Sequence, residues 1–435
     1  MNIAAEVKLW DTRIGAVVLE DGNRNTVFRY DPKFANSGIE VSPLKMPLSV
    51  ESYRFPDLSW ETFHGLPGLL SDSLPDKFGN NLITIWLSEQ GRSNDSLSSV
   101  ERLCYTGKRG MGALEYEPVI GPDSTVNETL HVGRLADLAS KILLHRTELK
   151  TNFLTGDDTA AMAQILQVGT SAGGARAKAV IAWNPKTNEI RSGQINVGDG
   201  FEYWLIKFDG VQNNRDKELA DPSGYGVIEY AYYQMAKDCG IIMSDCRLFE
   251  EGNRRHFMTR RFDRLPNGDK LHMQSLAALG HFDFSMPGVH GYEQVFFILR
   301  QLELPINATI QMFRRMVFNI IARNHDDHVK NTAFLMDRQG TWSLAPAFDV
   351  MYSYQKDGRW TSLHQMSLGG KRDNFVMDDF VNCGKIAVLK RGQARRIIEE
   401  VRSVVSQWRS YADAAGVSAD HRDKIQNALR LEPFR

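Results

Sequence analysis

One eight-residue segment constrains the fold most: NHDDHVKN, residues 324–331, places two histidines, two aspartates and a lysine between apolar neighbours. The preceding segment, INATIQMFRRMVFNII, has apolar residues at helical spacing, which predicts one buried helix face. The residues of that face are Phe313, Met316, Val317, Ile320 and Ile321. A second apolar run, AFLM, follows. Because ionisable side chains are rarely buried without partners, residues 324–331 are predicted to form a polar loop held against a core.

The order of predicted strands and helices divides the chain into regions. The segment KLWDTRIGAVVLEDGNRNTVFRY alternates apolar and polar residues around a Gly/Asn turn, as hairpins do, and HVGRLADLASKILLHR has helical spacing. HFMTRRFDRLPNGDKLHMQ predicts two short strands around a turn. Helices dominate after about residue 275, among them QARRIIEEVRSVVSQWRSYA. We predict an α+β fold with a β-rich N-terminal subdomain and a largely helical C-terminal lobe. Its predicted parts are residues 1–118, 119–149 (a connecting helix), 150–275 and 276–435.

Composition argues against several classes of function. The 435 residues are 42% apolar and 24% charged, with a net charge of −1, so no general attraction to nucleic acid or anionic membranes is expected. Four widely spaced cysteines, none in a CxxC pair, argue against a disulfide scaffold and favour the cytoplasm. The N-terminal segment lacks signal-peptide features, and no apolar run approaches the roughly 18 residues of a membrane span.

The polar loop contains a pattern typical of phosphoryl transfer. Asp326 and Asn331 are five residues apart, and Asp349 follows on an apolar segment after a proline turn. In kinases a loop Asp orients the substrate hydroxyl, while an Asn five residues later and a second Asp hold Mg²⁺. The match is partial, because Asp349 is not followed by Gly and Asn324-His325 precede Asp326. Two other interpretations remain open: a capping loop without catalysis, and a zinc site at the two loop histidines.

Two further segments are candidates for phosphate binding. Residues 168–178, VGTSAGGARAK, are rich in glycine, whose backbone N–H groups can approach phosphate oxygens closely. Lys207 lies in the apolar strand YWLIKFD, an unusual place for a lysine, and could pair with phosphates as the strand lysine of kinases does. Glu229, at the start of the next helix, is a candidate partner. The simpler interpretations are a plain glycine turn and an edge-strand lysine that faces water.

Together these segments resemble the HipA-type toxin kinases of bacterial toxin–antitoxin modules. SAGGARAK resembles the glycine-containing, autophosphorylated loop of the family, WLIKFD the strand with the ATP-phosphate lysine, and TRRFDR the ERFDR segment at the adenine-contacting hinge. NHDDHVKN resembles the catalytic loop and PAFD the metal-binding segment. LLSDSLPD and GKRGMGAL resemble motifs of the N-terminal subdomain. The resemblance covers nearly the whole chain and implies a kinase-like bilobal domain after a small β-rich subdomain.

The resemblance also implies roles for individual residues. Asp326, His328 and Lys330 would be catalytic, and Asn331 and Asp349 would bind Mg²⁺. The ATP-binding residues that it implies are Ser171, Ala172, Gly173, Gly174, Ala175, Lys178, Lys207, Phe262, Asp263, Gln274 and Asn331. Ser171 would also be the autophosphorylation site. A phosphate there would add negative charge to the loop that cradles ATP, so self-phosphorylation would switch the enzyme off.

The implied activity is ATP- and Mg²⁺-dependent phosphorylation of a serine or threonine in a protein. The known kind of target in this family is a glutamyl-tRNA synthetase, an aminoacyl-tRNA synthetase whose modification would inhibit translation and slow growth. The implied partner is a small helix-turn-helix antitoxin of HipB type, through which DNA would be bound indirectly; no membrane is involved. Two alternatives remain: a kinase-fold enzyme that acts on a small-molecule hydroxyl, and a co-repressor that acts mainly by binding the antitoxin.

Three positions depart from the family pattern. Ala177 stands where a Glu often precedes the loop lysine, and Arg260 replaces the Glu that opens the ERFDR segment. Either change could alter nucleotide contacts or loop motion. Asp327 stands beside Asp326, where a small residue is common; this second carboxylate could bind metal or could face solvent.

Overall fold

The computed structural model describes residues 2–93, 96–121, 128–145, 156–169, 176–211 and 224–434. The chain forms two compact units, each assembled from segments that are distant in sequence. The first unit comprises Met1–Ser223, Arg247–Gln274 and Leu335–Thr341. The second unit comprises Gly224–Cys246, Ser275–Phe334 and Trp342–Arg435. The division at residues 118, 149 and 275 that the sequence suggests stays a prediction.

The first sheet belongs to the first unit and is antiparallel throughout, with the strand order β4-β3-β2-β1-β5. Its strands are β1 (Ile3–Leu9), β2 (Thr12–Leu19), β3 (Val27–Tyr30), β4 (Ser52–Tyr53) and β5 (Leu114–Glu117). In β1 the alternate residues Ala5, Val7 and Leu9 are buried, as expected for a strand with one covered face. The predicted hairpin is confirmed, because β2 pairs with β3.

Helices pack around the strands of the first unit. In the described residues these are α1 (Trp60–Phe63), α2 (Gly68–Ser71), α3 (Lys77–Glu89), α4 (Ser99–Thr106), α5 (Val132–His145) and α6 (Gly156–Val168). Asp76 caps α3 by accepting a hydrogen bond from the backbone N of Gly79 at 2.7 Å, a common way to satisfy a helix N-terminus. The amphipathic helix predicted near residues 131–146 is confirmed as α5, whose residues Leu135, Leu138 and Ile142 are buried.

The second sheet has the strand order β7-β6-β8-β10-β9. Its strands are β6 (Lys178–Trp183), β7 (Ile190–Ser192), β8 (Glu202–Lys207), β9 (Cys246–Glu251) and β10 (Arg254–Arg260). All six residues of β6 are buried, the five apolar residues and Lys178 alike. The strand β11 (His272–Ser275) is not part of this sheet. The two strands predicted around the Pro-Asn-Gly-Asp turn both form. The chain between them is linked by an isolated bridge between Arg264 and Lys270 and by a hydrogen bond from the backbone N of Leu271 to the oxygen of Asp263.

The second unit is mainly helical, which confirms the prediction for the region after residue 275. Its elements are α7 (Tyr225–Asp238), α8 (Leu276–Gly280), α9 (Tyr292–Gln301), α10 (Ile306–Ile321), β13 (Trp342–Leu344), α11 (Met377–Ile386), α12 (Gln393–Val405), α13 (Trp408–Ala415) and α14 (Ala419–Ala428). In β12 (Ala333–Met336) the chain passes from the second unit to the first. The amphipathic segment QARRIIEEVRSVVSQWRSYA is helical, as predicted, and divides into α12 and α13, with Trp408 fully buried at the start of α13.

Two further observations concern membrane-spanning helices and the cysteine thiols. No helix among them combines the length and the apolar character needed to cross a bilayer. Each of the four cysteines is a free thiol and is buried. Burial raises the pKa of the Cys104 thiol to about 11 and that of Cys239 to about 12. Both thiols are therefore protonated and unreactive at neutral pH.

Candidate active site

The predicted polar loop forms directly after α10. That helix ends at Ile321, and Arg323 has a left-handed φ of 58° that turns the chain away from the helix. Residues 324–328 are irregular, and Val329–Asn331 form a single 3-10 turn before β12. His325 and Val329 are buried. The prediction of a polar loop held against a core is therefore confirmed.

The structure brings Asp326 and Asn331 together. The side-chain Nδ2 of Asn331 donates a hydrogen bond to the backbone oxygen of Asp326 at 2.8 Å. The Asp326 carboxylate is 48% exposed, and its Oδ1 lies 3.7 Å from Nε2 of His328. The five-residue spacing thus closes into a turn that leaves one carboxylate open to solvent. A group that orients a substrate hydroxyl and takes its proton needs this accessibility.

The segment that carries Asp349 lies beside Asn331. Phe348 and Val350, which flank Asp349, line the same cavity as Asn331, and its volume is about 20 Å³. Asp349 has a φ of 52°, which is uncommon for a residue other than glycine, and such backbone strain concentrates at functional sites. The cavity itself is far too small for a nucleotide, since ligand pockets usually have roughly 300–1,000 Å³.

Lys330 and His328 share an aromatic neighbour. The Nζ atom of Lys330 lies 4.4 Å from the centroid of the Phe284 ring. The centroid of the His328 ring lies 5.9 Å from that of Phe284. Phe284 belongs to the connection between α8 and α9. A cation–π contact holds an ammonium group in place without neutralising its charge, so Phe284 steadies a cation on the polar loop.

Asp327 does not have the role expected from the sequence. Its carboxylate is 1% exposed and accepts hydrogen bonds from Tyr292 Oη at 2.6 Å and from the backbone N of Gln365 at 2.7 Å. Nδ1 of His364 lies 2.9 Å from the same carboxylate. Neither of the two possibilities left open by the sequence, metal binding and exposure to solvent, fits this environment, because protein donors occupy the carboxylate oxygens. Asp327 instead ties the polar loop to residues 364–366.

Among the described residues, the zinc interpretation of the two loop histidines finds no third ligand. The His325 ring is buried, with its centroid 4.0 Å from that of His364 and 4.9 Å from that of Tyr354. Burial, together with the positive charges of Arg430 and Arg323, holds the pKa of His325 well below its ordinary range, so the ring is neutral at neutral pH. Across the described ranges, no group of three or more His, Cys, Asp and Glu side chains is placed to hold a metal ion.

Lys207 closes β8 near the centre of the second sheet. It is 4% exposed and stands opposite Lys178 of β6 and Phe257 of β10 in the strand register. Its Nζ lies 5.6 Å from the centroid of the Phe257 ring. The interpretation as an edge-strand lysine that faces water is wrong. Glu229 is buried in α7, and its pairing with Lys207 stays a prediction.

Lys178 is paired with an acid that the sequence did not connect to it. Its Nζ lies 3.3 Å from Oδ2 of Asp76, and the two side chains are 2% and 8% exposed. Burial raises the pKa of Asp76 to about 6, although Lys178 opposes the shift. The lysine that ends the glycine-rich segment is therefore held by the residue that caps α3.

Asp263 is the centre of a buried ionic cluster. Its carboxylate accepts hydrogen bonds from Arg261 Nη2 at 2.6 Å, from Arg264 Nη1 at 2.7 Å and from the backbone N of Gly112 at 2.7 Å. Burial by itself would raise the pKa of Asp263, but the two guanidinium groups hold it well below its ordinary range. Gly112 has a φ of 75°, and a Cβ there would lie 2.9 Å from the backbone N of Met273. The GKRGMGAL and TRRFDR segments are thus joined through one carboxylate.

The other predicted nucleotide contacts differ in environment. Phe262 is half-buried. Gln274 is fully buried on β11, and within the described part of the chain neither its amide nitrogen nor its amide oxygen has a hydrogen-bond partner. A buried amide without partners is costly, so this side chain suits a polar ligand. Five predicted residues lie outside the described residues: Ser171, Ala172, Gly173, Gly174 and Ala175.

Two groups of side chains, one in each unit, are of the kind found in phosphoryl-transfer enzymes. The second unit contains the solvent-exposed carboxylate of Asp326 and the side chain of Asn331, which is hydrogen-bonded to the backbone of Asp326. The segment that carries Asp349 lies beside Asn331. Two lysines stand opposite each other on adjacent strands of the first unit. Cations for phosphate and oxygen ligands for Mg²⁺ are the groups that phosphoryl transfer requires.

Comparison with protein families identifies the chain. The model of the HipA-like C-terminal domain matches residues 170–408, and the model of the HipA N-terminal domain matches residues 5–117. The chain belongs to the HipA family. The resemblance seen in the sequence motifs is therefore confirmed. A search of curated proteins finds no match.

Solved structures show the fold. The chain is similar to one in the complex of HipA, HipB and operator DNA from the Shewanella oneidensis MR-1 toxin–antitoxin system. The TM-score is 0.66 at 16% identity, over 98% of this chain and 96% of that one. This similarity confirms the predicted α+β fold class. The Helicobacter pylori proinflammatory kinase CtkA also matches, with a TM-score of 0.34 at 13% identity over 52% of this chain and 84% of that one, which is too low to support an argument.

Proposed function

We propose that this HipA-family chain is an ATP- and Mg²⁺-dependent serine/threonine protein kinase that acts as the toxin of a type II toxin–antitoxin module. The polar loop is the observation that carries the proposal. The Asp326 carboxylate is open to solvent, the Asn331 amide is bonded to the backbone of Asp326, and the segment of Asp349 lies beside Asn331. Protein kinases use this set of groups.

Four residues of the polar loop then have a role in the reaction. Because Nδ2 of Asn331 donates to the loop backbone, its Oδ1 is left to bind Mg²⁺ together with the Asp349 carboxylate, and Mg²⁺ prefers such oxygen ligands. ATP, when bound, would supply the phosphoryl group, and Mg²⁺ would neutralise part of its charge. Asp326 orients the acceptor hydroxyl and takes its proton, with His328 close enough to steady the carboxylate. Lys330 stabilises negative charge near the acceptor.

The nucleotide side is supported by residues of the first unit. Lys207 and Lys178 stand opposite each other on β8 and β6 and provide positive charge for the phosphates. The buried amide of Gln274 provides a donor and an acceptor for a sugar hydroxyl. Phe262 flanks the base. Since the Asp263 carboxylate is fully engaged with arginines and a backbone N–H, any contact of Asp263 with nucleotide comes from its backbone.

The proposed substrate is a serine or threonine of a protein. By family resemblance the target is an aminoacyl-tRNA synthetase of glutamyl type, so that phosphorylation inhibits translation in the cytoplasm. The Shewanella structure is a complex of HipA with HipB and operator DNA, which supports a HipB-type antitoxin as partner and contact with DNA through that antitoxin. Autophosphorylation of Ser171 would inactivate the enzyme, because a phosphate adds roughly −1.5 to −2 charges to the glycine-rich segment.

The test measures phosphate transfer from γ-labelled ATP with Mg²⁺, first to the purified chain and then to a cell extract. We compare the wild type with Asp326→Asn and with the control Asp420→Asn, an exposed aspartate of α14. Asp326→Asn should lower incorporation by at least about 100-fold, whereas the control should match the wild type. Equal incorporation by Asp326→Asn and the wild type would contradict the assignment.

Labelling of the cell extract distinguishes a protein kinase from a kinase that acts on small molecules. One labelled protein band supports a protein kinase, whereas label confined to small molecules supports the small-molecule alternative. Mass spectrometry of the purified chain should find phosphate on Ser171 and none in Ser171→Ala. No incorporation under any condition, together with binding to a HipB-type antitoxin, would favour the co-repressor.

A further inference from the structure

The segment after α14 reaches back to the helix that precedes the polar loop. Arg430 donates its backbone N–H to the oxygen of Ile321 at 3.0 Å and its Nη1 to the oxygen of Ile320 at 3.1 Å. Nη1 also lies 2.9 Å from Nε2 of His364, and Nη2 contacts the carboxylate of Asp373. Arg430 is therefore held on several sides at the end of α10.

These contacts fix the position of the proton on His364. A guanidinium group has donors and no acceptor, so Nε2 of His364 accepts a hydrogen bond from Arg430. The ring proton of the neutral imidazole is then on Nδ1, which donates to Oδ2 of Asp327 at 2.9 Å. Burial lowers the pKa of His364; the Asp327 carboxylate opposes this shift, and the charge of Arg430 adds to it. The neutral form with Nδ1–H is thus the one that satisfies both neighbours.

Asp327 links the His364 side chain to Asp326, its neighbour in the sequence. Its side chain is held by Tyr292 of α9 and by the backbone N of Gln365 in addition to His364. A single peptide unit separates it from Asp326, whose carboxylate is open to solvent. Fixing the buried side chain of Asp327 therefore fixes the backbone from which Asp326 extends.

We propose that Arg430 is a positioning residue: by holding His364 in its neutral, Nδ1-protonated form it sets the placement of Asp327 and hence of the Asp326 carboxylate. The inference rests on the proposed kinase function, since it assigns Asp326 to the acceptor hydroxyl. Arg430 does not contact the reacting groups itself. Its loss should lower the rate of transfer and leave the KM for ATP nearly unchanged, because the nucleotide contacts assigned above involve other residues.

The experiment compares Arg430→Met with Arg422→Met, the same exchange at an arginine of α14 that pairs with Asp413 and Asp423 near the surface. Arg430→Met should lower kcat for phosphate incorporation by about tenfold or more, since small misplacements of catalytic groups have effects of this size. Arg430→Lys should restore part of the loss, because it keeps the positive charge. Arg422→Met should leave kcat and KM at wild-type values.

A second measurement does not depend on activity. The chain is labelled at histidine, and the His364 signal is identified by its absence in His364→Gln. The charged and titratable groups around the ring are Asp327, Arg430, Arg323, Arg372 and His325. Removing the cation at Arg430 should move the NMR titration of His364 to higher pH. Arg422→Met should not move it.

An unshifted His364 titration in Arg430→Met would overturn the inference, and so would a wild-type kcat in that variant. Equal losses of kcat in Arg430→Met and Arg422→Met would mean that Arg430 contributes only to general stability, and this result would also overturn the inference. Absence of phosphate transfer in the wild type would instead count against the proposed function. The titration shift distinguishes these two failures.

Discussion

Replacing Asp263 by asparagine tests whether this residue holds the first unit together or serves the nucleotide. Its carboxylate is the common acceptor for Arg261, Arg264 and the backbone N of Gly112. Asp263→Asn removes the negative charge and leaves two buried guanidinium groups facing each other. Removing one partner of a buried ion pair costs about 3–5 kcal/mol. At about 2–4 °C per kcal/mol for a unit of this size, the melting temperature should fall by roughly 6–20 °C.

Thermal unfolding without ATP is the assay, at one fixed protein concentration. The control is Asp269→Asn, because the Asp269 carboxylate is 43% exposed and pairs with Arg338 at 3.4 Å. Exposed pairs contribute only about 0–1 kcal/mol, so this variant should melt close to the wild type. If Asp263→Asn also melts at the wild-type temperature and differs only when ATP is present, the structural role is refuted and a direct nucleotide contact is favoured.

Four further predictions concern pH, nucleotide binding and packing. The folded-state pKa of Asp76, about 6, lies above the value of about 4 for an unfolded Asp. Its contribution to stability is therefore complete at low pH and is lost as the pH rises through about 6. Asp76→Asn should remove that loss, as measured by melting temperature against pH. Lys207→Met should weaken ATP binding by about tenfold or more, since charge-assisted contacts are strong; equilibrium dialysis measures this. Gly112→Ala should destabilise the chain more than Gly252→Ala in thermal unfolding. Both glycines have positive φ, but only the first has a neighbour that the new Cβ would strike. Tyr292→Phe should cost about 1.5–3 kcal/mol, because it leaves a buried carboxylate with one donor fewer, and its melting temperature should fall accordingly.

The features that could be predicted from the sequence are those with a local signal. The apolar face of α10 repeats at helical spacing, so its burial follows from residues within one helix. The position of the polar loop follows from the end of that pattern and from the change to ionisable residues. The contact between Asn331 and the backbone of Asp326 is likewise local, since it closes over five positions.

The features that the sequence did not reveal depend on residues far apart in the chain. No residue near Asp327 in the sequence indicates that Tyr292 and His364 donate hydrogen bonds to its carboxylate. Its role could therefore be inferred only from its position beside Asp326. The pairing of Lys178 with Asp76 is equally remote in sequence. The break between α12 and α13 has no signal in the sequence, because the buried residues Val401, Val405, Trp408 and Ala412 keep one helical spacing across it.

The three buried acids hold chain segments in place, and activity measurements alone would not distinguish this role from catalysis. Asp76 holds the lysine that ends the glycine-rich segment, Asp263 joins two motifs of the first unit, and Asp327 anchors the polar loop. A buried charge that loses its partner is costly, so each acid restrains the segment that it holds. Variants at these positions should therefore lose activity and stability together. Asp326 differs, because its carboxylate is largely exposed: its replacement should reduce phosphate transfer while the melting temperature stays near that of the wild type. Measuring both quantities on each variant is what separates the acid that performs chemistry from the acids that position it.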